Sequence, residues 1–275
     1  MLRRLPLIIA IGAIAFGWIG LNLAGIYFRD AMAYWRPDLD DLYGGRQVGV
    51  MSTYLYSPAF AQLMWPFGLL PWPAFAAFWS GLSLAALVWM VGPYVAALLF
   101  FVPFSPVVDE ISTGNIHILL GAAIVIGFRW PAAWALPLLT KISPGIGILW
   151  FAGARRWRAL IIGVVATLAI AAISFLTIPN GWLEWIETLR RSSELPVTEV
   201  AVIPGPLWLR VGVAGVLAVA GGAMGKRWLA PVAAAIALPI PWSSGMSLLV
   251  ASLALTRRRW ESWLTGRFDA MRGSR

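Results

Sequence analysis

Few residues in this chain could do chemistry, and most of them stand at the edges of apolar runs. Lys141 lies in PLLTKISPGIGILW (137–150), an otherwise apolar stretch with arginines at both ends. A cation beside the helix break at Pro144 is suited to hold an anion such as a phosphate; the alternative is a lysine whose stem snorkels to the membrane interface. Asp30, next to Arg29 and followed by Tyr34 and Trp35, places a carboxylate where an aqueous loop meets an apolar segment. It can serve as a general base or be an ordinary interfacial aspartate paired with arginine. Asn115 and His117 open another apolar run in GNIH. His117, the sole histidine, reads equally as a satisfied helix-end residue, and alone it makes no metal site. Asp38 and Asp40 in PDLDD form an Asp-x-Asp that can bind a divalent cation, but such pairs are common in loops, and no cofactor is expected. With no cysteine, thiolate chemistry is excluded.

The elements that position these residues follow from composition. The chain is 60% hydrophobic and 12% charged, with repeated apolar stretches near the length that crosses a bilayer core of about 30 Å. It reads as one integral membrane domain over 1–275, an all-α polytopic bundle with both termini cytoplasmic. The start, MLRRLPLIIAIGAIAFG, reads as an uncleaved signal anchor. A first span over 5–27 leads to an outer loop, 28–72, whose end (57–72) is a short interfacial or re-entrant helix interrupted by Pro58, Pro66 and Pro71. Spans at 73–91 and 94–107 follow, then one from 115 to 128 that returns to Arg129. Residues 131–154 are bounded by Arg129 and by Arg155, Arg156 and Arg158, so a single crossing would expel one basic cluster. Two short helices meeting near Lys141 and Pro144 keep both flanks on one side. The same holds for 228–256, between Lys226/Arg227 and Arg257–Arg259, with LPIPWSSG at its tip. Between these pairs come spans at 159–178 and 206–225, joined by an outer loop, and 257–275 is a cytoplasmic tail. The path contains about ten membrane elements and puts most carboxylates outside. The net charge of +9 does not point to nucleic acid, because no basic run is interleaved with stackable aromatics in a soluble segment. The 17 tryptophans are interface anchors and packing residues, some able to stack on a sugar ring.

Several motifs recur in a fixed order over residues 28–160. DAMAYW keeps Asp30 and Tyr34 of an Asp-Phe-x-x-Tyr-Tyr pattern, and YSPAFAQLMWPFGLLPW keeps Tyr56, Pro58, Pro66 and Pro71 of a Tyr-Pro-Pro patch and its following Leu-Leu-Pro segment. GNIH keeps Gly114 of a Gly-Gln-x-Asn motif, with Asn115 and His117 substituting the other two, and KISP with ARRWRAL keeps Lys141, Pro144 and Trp157. In these motifs the chain resembles glycosyltransferase family 87, the GT-C type polyprenyl-phosphate-mannose-dependent mannosyltransferases, as a short and divergent member. A late Ser-Pro-x-Ser-Trp-x-His-His motif is reduced to PIPWSSGMS, keeping Pro241 and Trp242 without the histidines, and an Asn-Gln-Ser motif near 190–205 is missing. The resemblance implies a GT-C-like fold in the cell inner (plasma) membrane, active face outward. It implies transfer of a sugar, mannose in the first instance, from a polyprenyl phosphate donor to a hydroxyl of a lipid or glycan acceptor. In that mechanism Asp30 is the catalytic base and Lys141 with Arg29 binds the donor phosphate. Tyr34, Tyr56, Pro58, Asn115, His117, Pro144 and Trp242 line the substrate cavity. A lipid or solute transporter without chemistry, or an inactive glycosyltransferase-like partner subunit, are the alternatives that the broken helices and missing histidines leave open.

Overall fold

The computed structural model describes residues 5–23, 28–44, 54–102, 105–194 and 201–257, and every regular element in them is helical. In chain order these are α1 (Leu5–Leu23), α2 (Arg29–Met32), α3 (Pro58–Met64, continued by a 3₁₀ turn Trp65–Leu69), α4 (Trp72–Val91), α5 (Pro93–Phe101), α6 (Pro106–Thr113) and α7 (His117–Gly127). There follow α8 (Ala135–Lys141), α9 (Trp150–Gly153), α10 (Trp157–Thr177), α11 (Pro179–Glu194), α12 (Leu207–Ala223) and α13 (Leu229–Ile236). A final helical segment, Ser244–Arg257, begins as 3₁₀ turns. The termini, Arg3, Arg4, most of the basic tail and 195–200 lie outside the described residues.

Prolines that read as breakers mostly start helices. Pro58, Pro93 and Pro106 occupy first-turn positions, where the missing N–H costs nothing. Ser57 caps α3 through Phe60 N–H, and Ser105 caps α6 through Val107 N–H. The cap at Ser105 also corrects the expected span at 94–107. The chain bends by 85° between α5 and α6, and the polar stretch of α6 turns inward instead of extending an apolar crossing. Likewise 179–194, expected as part of an outer loop, is the amphipathic helix α11. Its Trp182 and Trp185 indoles donate to Ser174 Oγ and Leu55 O, while Glu187 faces out and pairs with Arg190 and Arg191. Those guanidiniums hold the Glu187 carboxyl down at about 2.

Two helices, α4 and α10, are long and apolar enough to cross a bilayer alone, and α5 with α6 makes a third if the bent pair counts as one. The 21 residues of α10 rise about 31 Å, the thickness of a hydrocarbon core. Past its first turn its exposed surface is mainly leucine, isoleucine and valine, as a lipid-facing helix requires.

The segments 131–153 and 228–257 are both hairpins. Pro131 lines the same cavity as Arg155, Arg156 and Arg158, so the two ends of the first hairpin meet. In the second, Ser252 Oγ donates to Trp228 O, and Trp228 lies with Leu255 and Thr256. The two hairpin bases touch each other, through Trp150 Nε1 donating to Lys226 O and Arg227 resting over the Phe128 ring at 5.6 Å. One end of the bundle is therefore basic. The described carboxylates all belong to 28–44, α6 and α11, away from that end. An 11-residue arm reaches about 16 Å, so Lys141 at the first tip and His117 at the far end of α7 lie about half-way through the bundle.

The second hairpin is pinned by Arg210 of α12, which is 4% exposed. Its guanidinium donates to Ile236 O, Leu238 O and Pro239 O, carbonyls at and just past the end of α13, and to Gly205 O ahead of α12. Beside it, α12 meets α9 with almost no side chain between them. A Cβ on Gly222 would strike the backbone of Trp150 and Gly153, the close approach that small residues allow between helices in lipid. Arg210→Met should lower stability by about 3 kcal/mol or more, because several buried carbonyls lose their only donor. Thermal melting of the purified protein in detergent checks this, and an unchanged midpoint would show that the hairpin does not need the guanidinium.

Candidate active site

The site is built around one turn. Helix α6 ends at Gly114, whose φ of 70° lies in the left-handed region, and both Gly114 N–H and Asn115 N–H return to Glu110 O. Glycine is required there twice over, because a Cβ would also stand 2.6 Å from Ala31 Cβ on α2. That approach brings Asp30 against Asn115, and Trp79 Nε1 of α4 fixes the turn by donating to Gly114 O at 2.8 Å.

Glu110, completely buried, folds back over the start of α7. Its Oε1 accepts from His117 N–H and from Ile118 N–H, and its Oε2 lies 2.9 Å from His117 Nδ1. A carboxylate is thus placed on a helix N-terminus, where backbone N–H groups need acceptors. On the other side of the ring, His117 Nε2 is 2.9 Å from Lys141 Nζ. A lysine ammonium has only hydrogens to offer, so Nε2 must accept and the ring proton sits on Nδ1, donated to Glu110. His117 is held neutral in one tautomer, a strut between a buried anion and a buried cation.

Lys141 Nζ also donates to Asn115 Oδ1 at 3.3 Å and lies over the Tyr56 ring at 5.6 Å. Of its three N–H groups, two are spent on His117 and Asn115 and one remains. Asn115 Nδ2 donates to Asp30 Oδ2 at 2.6 Å, which fixes the amide's orientation, since the carboxylate can only accept. Asp30 and Lys141 are therefore joined through a single carboxamide, each partly accessible at the site's edge.

Aromatic residues from the loop before α3 cover the group. Tyr34 OH is 2.8 Å from Tyr56 OH and 3.4 Å from Asn115 Oδ1, and Tyr43 OH donates to Tyr56 O. Burial pushes the Tyr34 phenol far above its ordinary range, and the nearby Tyr56 and Asp30 reinforce the shift. Burial likewise raises Tyr56, partly offset by its hydrogen bond to Tyr34. Both remain protonated and serve as donors and packing groups, not as bases.

Of the residues read from sequence, Asp30, Tyr34, Tyr56, Asn115, His117 and Lys141 form one connected network. Pro58 and Pro144 are buried in the first turns of α3 and of the 3₁₀ segment Ser143–Leu149, one step behind it. Arg29 is exposed on α2 beside Asp30. Trp242 is 42% exposed at the second hairpin tip and makes no described contact with Asp30 or Lys141. The same tip still reaches the site, because a Cβ on Gly245 would lie 3.8 Å from the His117 ring. Asp38 Oδ1 accepts from Asp40 N–H in a local turn, and no group of three or more metal-binding side chains gathers among the described residues. Glu110 also belongs to the network, a residue to which the sequence motifs assign no role. Its signal was the seven-residue spacing to His117 across a glycine, enough for a carboxylate to return to the next helix start.

Glycosyltransferase family 87 matches the chain over residues 54–264, well over half its length. No curated protein and no solved structure matches it.

Because His117 is the only histidine, ¹⁵N-histidine labelling reports on it alone. At neutral pH the spectrum should show a neutral imidazole protonated on Nδ1, and Lys141→Met should release that tautomer preference. An imidazole protonated on Nε2 in the wild type would rule out the strut.

Proposed function

The chain belongs to glycosyltransferase family 87, and we propose that it moves a sugar from a lipid-phosphate donor of the polyprenyl type to an acceptor hydroxyl through Asp30 and Lys141. It is a membrane glycosyltransferase, a hexosyltransferase by family. The observation that carries the finer reading is the spacing of a carboxylate and an ammonium across the Asn115 amide, each with one site left to offer. Asp30 Oδ2 is taken by Asn115, and Oδ1 has no described partner. Lys141 keeps one N–H.

In the reaction the acceptor oxygen bonds to the anomeric carbon and the bond from that carbon to the donor's phosphate oxygen breaks. The acceptor proton passes to Asp30 Oδ1, and the lipid phosphate leaves with the electron pair. Its growing charge falls where Lys141 points its remaining N–H, with Arg29 on the exposed side. The network behind Lys141 matters because a fixed donor costs no reorganisation as charge develops. A donor whose lipid tail stays in the bilayer fits a site about half-way through the bundle. The basic end then faces the cytoplasm and the carboxylate-bearing end faces outward, in line with the usual bias of Lys and Arg. Mannose is the sugar of the resembling enzymes and the first to test.

Asp30→Asn should cut transfer from radiolabelled polyprenyl-phosphate mannose to a membrane lipid extract by about a hundredfold or more while leaving thermal stability near wild type. Full transfer by that variant would remove Asp30 as base. Lys141→Met should lower kcat/KM on the order of a hundredfold and weaken donor binding. Unchanged donor affinity would take the phosphate away from Lys141. No transfer by the wild type with donor binding intact would instead favour the inactive partner subunit.

A further inference from the structure

At the basic end of the bundle, some 16 Å from Lys141 along the arm 131–141, the base of the first hairpin carries an open cleft of about 380 Å³. Arg155, Arg156 and Arg158 line it together with Trp157, Ile162 and Pro131. Among the described residues none of these three arginines has a carboxylate partner. Arg156 only leans over the Phe151 ring, at 5.7 Å. Three like charges gathered on one small concavity repel one another, and an anion in the cavity would relieve this.

The cleft reaches α10 at Trp157, Ala159 and Ile162. Farther along that helix Ile161, Val165 and Leu168 follow at i, i+4 and i+7, each more than half exposed. Trp157 at the mouth is 56% exposed, an indole placed where interfacial tryptophans sit. A guanidinium-lined cleft on a helix that goes on to expose an apolar stripe matches a molecule with an anionic head and a hydrocarbon tail.

We infer that this cavity is a binding site for an anionic phospholipid, its phosphate among Arg155, Arg156 and Arg158 and one acyl chain along Ile161, Val165 and Leu168 of α10. The site is distinct from the sugar-transfer centre, and only its effect on Lys141 rests on the proposed function. Its position gives it a role, because Pro131 and Arg155 are the two ends of the hairpin whose tip carries Lys141. A phosphate held between them closes the base of the hairpin and so fixes its tip. Bilayer composition would then bear on the catalytic lysine through the rigidity of 131–153.

The backbone supplies a clean variant. Arg155 has φ of 54°, a left-handed conformation that suits glycine better than arginine. Arg155→Gly removes a guanidinium at a backbone conformation glycine adopts readily, so its fold should hold. The full chain, purified in detergent, is titrated with phosphatidylglycerol, with phosphatidylcholine or with sodium phosphate, and bound lipid is counted by native mass spectrometry beside the melting temperature. We expect one saturable phosphatidylglycerol, a higher melting temperature with that lipid alone, and about fivefold weaker binding in Arg155→Gly with melting at or above wild type in lipid-free detergent. The triple variant R155G/R156Q/R158Q should bind on the order of a hundredfold more weakly. Equal binding of phosphatidylcholine, an equal shift from inorganic phosphate, or wild-type affinity in the triple variant would each overturn the assignment.

Discussion

A lysine half-way through an apolar bundle can donate hydrogen bonds but accept none, and the centre of this protein is arranged around that asymmetry. Lys141 needs acceptors where lipid offers none, and it finds them in His117 Nε2 and Asn115 Oδ1. Satisfying the lysine forces the histidine proton onto Nδ1, which needs an acceptor in turn, and Glu110 provides it. Glu110 as a buried anion is compensated by the first N–H groups of α7. The chain of obligations ends at a helix terminus that required capping anyway. Breaking a buried ion network at one member typically costs several kcal/mol, so each partner holds the others in place.

The same arrangement explains why the polypeptide uses hairpins that stop half-way instead of full crossings. A full-length helix would carry Lys141 to one surface or leave it facing lipid. A hairpin returns both arginine-rich flanks to the basic end and stops its polar tip inside the protein, where neighbouring elements supply partners. The second hairpin repeats the device with a structural cation. Arg210 ties three carbonyls at the close of α13 to Gly205 O ahead of α12, and the tip beyond it packs Gly245 against His117. The resembling enzymes carry histidines in that late segment. In this chain the imidazole beside it comes from the start of α7.

Membership of glycosyltransferase family 87 and the geometry of the Asp30–Asn115–Lys141 group bear on different questions. The family gives the class of reaction, whereas the geometry bears on which groups can move a proton and which can receive a leaving phosphate. Tyr34 and Tyr56, kept in the protonated state by burial, stiffen the group from above without entering the proton transfer.

Linear pattern and charge carry part of this architecture. Apolar runs and flanking arginines defined an integral membrane protein and two hairpins, because placing a basic cluster on the wrong side is costly whatever the helices touch. Asp30, Asn115, His117 and Lys141 were legible because polar residues at the edges of apolar runs are conspicuous. The right-angle bend between α5 and α6 and the helical state of 179–194 were not legible, since a serine cap and a pair of tryptophan hydrogen bonds overrode local apolar pattern. Packing alone settled that Glu110 caps α7 and holds His117, that Asn115 joins Asp30 to Lys141, and that Trp242 stands aside from both. Those outcomes depend on which donor meets which acceptor across α2, α6, α7 and α8, and that pairing is fixed by packing between segments distant in sequence.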